Sequence, residues 1–343
     1  MSATVSPLET LITRAWQRRG LIACALWPLS LVYGGLLSLR RGMYRLGVLK
    51  QTRLPVPLII VGNIFVGGTG KTPLVIWLVQ QLRQRGYTPG VISRGYGGSH
   101  ADIAEVAEVD QSSSPQEAGD EPVLIAQKTQ VPLMVGRKRV EAARALLKAH
   151  PEVNLIISDD GLQHYALGRQ IEIQLSDERG HGNGWLLPAG PLRESAARRS
   201  DFYVVNGGSS DLAHGFAMQL QGGYAEQLSD RRLRLALDAL PQAARVAAVA
   251  GIGNPQRFFT MLRAAGVLLS DTLALPDHDD FSRHPFAQIQ ADIILITEKD
   301  AVKCASIKAL ARDTRLWVVP VEANIAGPLA DHILEKLRGD PTA

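Results

Sequence analysis

Short apolar runs alternate with helical patterns along most of this chain. Residues 58–61, 88–93, 131–135, 154–158, 171–175 and 202–205 are rich in β-branched or other apolar side chains and are bounded by Gly, Pro, Asp or Lys. Runs of that length are too short for helices and read as strands buried on both faces. Between them, residues 73–85, 123–128 and 137–149 carry apolar positions at helical spacing. From about residue 245 the pattern restarts, with strands at 246–250, 293–297 and 316–321 and helices at 256–265 and 328–337. Strand–helix alternation predicts parallel α/β architecture in both halves. Residues 99–116, polar and acidic, read as an exposed loop.

The turn after the first strand carries the most specific signal. Phe65, Val66, Gly67, Gly68, Thr69 and Gly70 lead into Lys71, Thr72 and a helical pattern. Glycines let backbone N–H groups turn inward around phosphate oxygens, and the helix start adds unpaired N–H groups and a positive dipole end. Lys71 is placed to reach the β/γ-phosphates and Thr72 to ligate Mg²⁺. The strict G-x-x-x-x-G-K-[ST] pattern would have glycine where this chain has Phe65, so the match is to a G-G-x-G-K-T variant. The expected fold is therefore α/β, with a P-loop NTPase-type parallel sheet, a second smaller α/β domain and an N-terminal membrane-associated helix. The expected division is 1–40 for the anchoring helix, 41–200 for the phosphate-loop core and 201–343 for the second domain.

Residues 20–39 contain no charge and lie between Arg18-Arg19 and Arg40-Arg41. Twenty such residues are enough to cross a bilayer. Pro28, Gly34, Gly35, Trp27 and Tyr33 equally suit a helix lying in the interface, and both readings stay open. The net charge is +4, and Arg14, Arg18, Arg19, Arg40, Arg41, Arg45, Lys50 and Arg53 occur in a stretch without Asp or Glu. Basic residues flanking an apolar run fit an anionic membrane surface rather than nucleic acid. Cys24 and Cys304 match no metal or redox spacing, which implies a reducing compartment.

Further candidates follow strands. Arg94 stands on a Gly-rich loop after the second strand and has the chemistry to grip a phosphate. Asp120 and Glu121 either cap the helix that follows or act in a site. Asp159 and Asp160 end an apolar strand, where a phosphate-loop protein needs a Mg²⁺-organising carboxylate, and Gln163 and His164 follow. Arg193 and Glu194 close an irregular apolar loop, and His278 sits amid carboxylates at 277–280. The G-x-G at 251–253 lacks a full dinucleotide fingerprint. Together these are the parts of a phosphoryl-transfer site whose acceptor resides in a membrane.

In order, GNIFVGGTGKTP, SRGYGG, AGDEP, SDDGLQH, LPAGPLRE, LPDHDDF and TEKDAVK span nearly the whole chain. This series resembles that of the tetraacyldisaccharide 4'-kinase family, the lipid A 4'-kinases of Gram-negative bacteria. The resemblance implies transfer of the ATP γ-phosphate to the 4'-hydroxyl of a tetraacyl glucosamine disaccharide 1-phosphate. The product is lipid IVA, made at the cytoplasmic face of the inner membrane, with ATP and Mg²⁺ as cofactors. The implied partners are the lipid disaccharide and the membrane surface, with no obligate protein partner. It places the phosphate loop on Phe65 to Thr72, and the base on Asp120 working with His278. Mg²⁺ falls to Thr72, Asp159 and Asp160 with Glu121 as helper, and the substrate cleft to Arg94, Gln163, His164, Arg193 and Glu194. Leu162 and Asp279 depart from the family's usual Phe and His.

A rival reading is a membrane-associated P-loop ATPase or GTPase switch that acts through partner binding. Such proteins often carry an early loop lysine, where this chain has Phe65 and Val66. An N-K-x-D guanine signature is also missing, and the T-E-K-D at 297–300 is a chance likeness to it.

Overall fold

The computed structural model describes residues 15–96, 98–99, 106–208, 215–241 and 243–339. Gly97 of the SRGYGG motif, residues 100–105 of the expected loop and residues 1–14 of the expected anchoring segment lie outside them.

Two sheets organise the chain. The larger has nine strands, ordered β15-β8-β7-β6-β1-β5-β2-β4-β3. Its centre is β1 (Leu58–Gly62), parallel to both β5 (Leu155–Asp159) and β6 (Ile171–Asp177). Beyond β5 lie β2 (Pro89–Ser93), β4 (Leu133–Val135) and the short β3 (Ala107–Glu108). Beyond β6 lie β7 (Phe202–Asn206), β8 (Gly215–Gln221) and β15 (Glu322–Ile325). The smaller sheet has six strands, ordered β10-β9-β14-β13-β11-β12. Its parallel core is β14 (Leu316–Val319), β13 (Ile293–Thr297), β11 (Val246–Ala250) and β12 (Leu269–Ala274). The hairpin β9 (Tyr224–Gln227) and β10 (Arg234–Ala236) extends one edge.

Parallel strands need both faces covered, and the helices supply the cover. One face of the large sheet packs on α2 (Lys71–Gln84), α4 (Asp120–Thr129) and α9 (Leu329–Arg338) through Leu74, Leu78, Ile125 and Ile333. The other packs on α5 (Arg139–Ala149) through Ala142, Ala143 and Leu146. In the small sheet α6 (Pro255–Ala264) covers one face with Phe258, Phe259 and Leu262. Ala301 and Cys304 of α7 (Glu298–Ser306), with Leu310 of the short α8 (Lys308–Ala311), cover the other.

The sheets divide the chain elsewhere than at residue 200. β7 and β8 belong to the large sheet, and β15 and α9 return to it after the small sheet is complete. The strands are not all parallel either. β3 and β15 run antiparallel in the large sheet, and β9 and β10 do so in the small one. The stretch expected to be a loop holds β3 and the short α3 (Pro115–Ala118).

The apolar N-terminal stretch is one long helix, α1 (Leu21–Arg45). Ala23, Ser30 and Gly34 recur at helical spacing on the face turned to the 183–193 loop, where small residues permit close approach. Ser30 Oγ donates to the Leu186 carbonyl at 2.8 Å, and the Tyr33 hydroxyl donates to the Arg193 carbonyl at 2.9 Å. On the opposite face Leu29, Val32, Leu36 and Leu39 are each more than half exposed.

Candidate active site

The phosphate loop leaves the carboxyl end of β1 at the centre of the large sheet, between the ends of β5 and β6. Crevices at such strand ends are where open α/β sheets bind ligands. The fully buried Asn63 fixes the loop from inside, its Nδ2 donating to the carbonyls of Phe65 (2.7 Å) and Gly67 (3.2 Å) and to Thr69 Oγ1 (3.1 Å). Asn206, at the end of β7, donates to the Thr69 carbonyl at 2.9 Å. Gly70 caps α2 with φ +97°, and a Cβ there would meet Asn206 Nδ2 at 2.3 Å, so only glycine fits. Arg179 donates to the Gly68 carbonyl at 2.8 Å and lies over the Phe65 ring at 4.6 Å. Thr72 is buried in the first turn of α2.

Beside the loop, Lys71 Nζ approaches Asp160 Oδ1 at 3.7 Å, and Arg193 pairs with Asp160 Oδ2 at 2.9 Å. Burial works against ionisation of Asp160, yet the Lys71 and Arg193 cations hold it down at about 2. Asp159 behaves oppositely. Burial, then repulsion from Glu121, pushes its carboxyl up to about 7. Its Oδ2 accepts from Ser93 Oγ at 3.1 Å, while Oδ1 is buried with no hydrogen-bond partner among the described residues.

Asp120 opens α4 three residues earlier than the apolar pattern indicated, and its side chain is only 3% exposed. Oδ1 accepts from the Glu121 N–H at 2.9 Å, and His278 Nδ1 donates to Oδ2 at 3.1 Å. Gly119, not Asp120, is the cap residue of α4, so Asp120 does not act as the helix cap. Burial disfavours the charge, but the His278 hydrogen bond and the Lys299 and Lys303 cations overcome it and hold Asp120 at about 2. His278 adopts φ +62° and packs on the Tyr96 ring at 5.1 Å. Glu121 pairs with Lys299 at 2.9 Å, and Lys299 also meets Asp277 at 3.3 Å.

The two halves meet over the loop. A Cβ on Gly253 would stand 2.5 Å from the Gly68 nitrogen, so the 251–254 turn rests directly on the phosphate loop. A cavity of about 520 Å³ opens beside this contact, bordered by Gly68 to Thr72, Glu121, Lys299 and apolar side chains such as Ile76, Leu124 and Met261.

A family model described as tetraacyldisaccharide-1-P 4'-kinase matches residues 22–338. The chain belongs to this family. It is 57% identical to the tetraacyldisaccharide 4'-kinase of Janthinobacterium sp. (strain Marseille) over 99% of both chains. Identity to the kinase of Bordetella parapertussis is 46% over 94% of both. A crystal structure of LpxK from Aquifex aeolicus in complex with ATP superposes with a TM-score of 0.74 at 28% identity, covering 93% of this chain and 99% of that one. The P-loop kinase fold, with its second α/β unit and apolar N-terminal helix, is thus that of the kinase family.

Within this tetraacyldisaccharide kinase fold, the residues expected to line the cleft separate into two groups. Arg193 contacts Asp160, Gln163 Nε2 donates to the Asn63 carbonyl at 3.3 Å, and Arg94 is exposed on its loop. His164 is kept neutral, because burial and then repulsion from Arg139 lower it to about 4. Glu194, in contrast, is 1% exposed and locked in a buried network with Arg198, itself paired with Glu172 at 2.7 Å. Its place is structural support beneath the Arg193 loop. Sequence reading passed over Asn63, Asn206, Arg179, Lys299 and Lys303. Arg139, at the start of α5, is also buried and donates to the carbonyls of Gly136 (2.7 Å) and Asp159 (3.3 Å). None of these carried a local signal, since Lys299 and Lys303 share a face only once 298–306 is seen to be helical.

Proposed function

We propose that the chain transfers the γ-phosphate of ATP to the 4'-hydroxyl of a tetraacyl glucosamine disaccharide 1-phosphate, yielding lipid IVA for lipopolysaccharide. The observation that carries this reading is the pairing of Lys71 in the phosphate loop with Asp160 just after β5, beside a cavity that Glu121 and Lys299 also border, together with a buried aspartate next to Glu121 that is hydrogen-bonded to a histidine from the other half. The acceptor oxygen bonds to the γ-phosphorus, the bridging bond to ADP breaks, and the hydroxyl proton passes to Asp120. A carboxylate held near 2 is a weak base, which suits a loose transition state in which the proton leaves late. His278 keeps Asp120 turned and solvates its charge. Lys71 draws charge from the phosphates, and Arg193 steadies Asp160.

The residues fit Mg²⁺. Thr72, Asp159 and Asp160, with Glu121 nearby, are hard oxygen donors, and the buried Asp159 Oδ1 lacks a partner. No group of three or more His, Cys, Asp or Glu fit to hold a metal occurs among the described residues. Held by Thr72, Asp159 and Asp160, a Mg²⁺ ion would supply charge neutralisation for the transferring phosphate.

The helix α1 lies in the membrane interface at the cytoplasmic face of the inner membrane of a Gram-negative bacterium. It is long and apolar enough to cross, but its hydrogen bonds to the 186–193 loop keep one face on the protein and leave the Leu29, Val32, Leu36 face for lipid. Replacing those three with Ser should lower vesicle co-sedimentation at least ~10-fold, given about 0.8 kcal/mol per buried methylene; undiminished sedimentation would refute the anchoring role. For the reaction itself, γ-labelled ATP with the disaccharide 1-phosphate in detergent micelles should place label on the lipid. Release of label as free phosphate alone would overturn the kinase reading.

A further inference from the structure

The 297–303 segment, TEKDAVK, has no role in the reaction as described. It folds as the start of α7, which packs across the junction of the halves onto α4. Lys299 and Lys303 lie one turn apart, so they share a helix face. That face meets the two consecutive acids that open α4. Lys299 pairs with Glu121 at 2.9 Å, and Lys303 Nζ lies 3.4 Å from Asp120 Oδ2.

Lys303 is the unusual member. Its side chain is 10% exposed, and its ammonium makes no hydrogen bond among the described residues. It lies 3.8 Å from Asp300 and 5.2 Å from the centre of the Phe281 ring. A buried ammonium without hydrogen bonds is costly to keep, and a methionine of similar shape would fill the same space without that cost. Asp300 Oδ2 accepts from Thr297 Oγ1 at 2.7 Å and from the Gly251 N–H at 3.0 Å, while its Oδ1, buried without a hydrogen bond among the described residues, faces Lys303 at 3.8 Å, farther than Asp120 Oδ2 at 3.4 Å. What Lys303 adds is a cation beside the oxygen that His278 holds.

We infer that Lys303 is a positioning residue for Asp120, fixing from the second half the carboxylate that receives the acceptor's proton. The inference rests on Asp120 being the base. Oδ1 is tied to its own helix and Oδ2 to His278 and Lys303, so the carboxylate is turned only when α7 and the 277–281 loop are docked. The two halves then share the work unequally: the first grips the nucleotide, and the second aims the base.

The test is a double-mutant cycle on the full chain with Asp120→Asn and Lys303→Met. Lys303→Met should cut kcat by roughly 30-fold or more with KM for ATP and for the lipid changed less than about threefold, a split that a merely structural lysine would not produce. In the Asp120→Asn background the same change should lower kcat by less than about threefold, because the group it aims is already gone. Lys303→Gln, which keeps a donor but no charge, should fall between wild type and Met, and it keeps the cycle measurable if the Met variant does not fold. A kcat for Lys303→Met or Lys303→Gln within threefold of wild type, or losses that multiply in the double variant, would overturn the inference. If Asp120→Asn alone retained normal turnover, the base assignment itself would fail instead.

Discussion

The phosphate loop and the Asp120 site are neighbours, since Glu121 and Lys299 border the loop's cavity, but they are built in opposite ways. The loop is a single stretch, residues 65–72, fixed by Asn63 just after β1 and by Asn206 at the end of β7 of the same sheet. The Asp120 site draws on α4 of the large sheet, the 277–281 loop and α7 of the small one, and each half contributes an incomplete set. A contiguous element keeps its shape through short-range hydrogen bonds. An assembled one has its shape only while two bodies are docked, and that makes docking part of catalysis.

Breaking the contiguous element should cost most. Lys71→Ala removes the only side-chain cation within the loop, and kcat/KM for ATP should fall ~10³-fold, with both binding and turnover damaged. Isothermal titration with ATP alongside steady-state kinetics checks this, and normal ATP binding by the variant would count against the loop assignment. The docking contact should cost less. A Gly253→Ala methyl, 2.5 Å from the Gly68 nitrogen, must push the 251–254 turn off the loop, and kcat should fall roughly 10- to 100-fold with little change in melting temperature. A variant with wild-type kcat would mean that the two halves need not touch there.

The smallest effect concerns pH. His164 is neutral in the fold, its value lowered to about 4 against 6.5 when free. Below 6.5 the unfolded chain takes a proton that the folded chain refuses, so this contribution to stability is complete above 6.5 and is lost as pH falls toward 4. The slope is at most about 1.4 kcal/mol per pH unit. Denaturant titrations at pH 7 and pH 5 should show His164→Asn losing about 1–2 kcal/mol less than wild type over that interval. Equal losses would mean that the imidazole is not desolvated as described.

The same contrast explains what could be read from the chain. The central strands β1, β5, β11 and β13 are near-continuous apolar runs and were recognisable to within a residue or so. β12 (LSDTLA), β15 (EANI) and β10 (RLA) were not, because they are edge strands with exposed faces and mixed polarity. The return of β15 and α9 to the first sheet left no local mark, since a chain's route between sheets is a tertiary fact. The phosphate loop was legible because its chemistry is contiguous. Asp120 and His278, 158 residues apart, came together only through family resemblance, and Lys303 not at all. A lysine on a helix gives no sign of which body it will face.

The most direct test of the assembled site is the single-turnover rate of phosphoryl transfer by Asp120→Ala, with ATP affinity measured on the same preparation. Transfer should slow by roughly 10²- to 10⁴-fold while ATP binds with unchanged affinity. A variant that transfers phosphate to the lipid at nearly the wild-type rate would contradict the account.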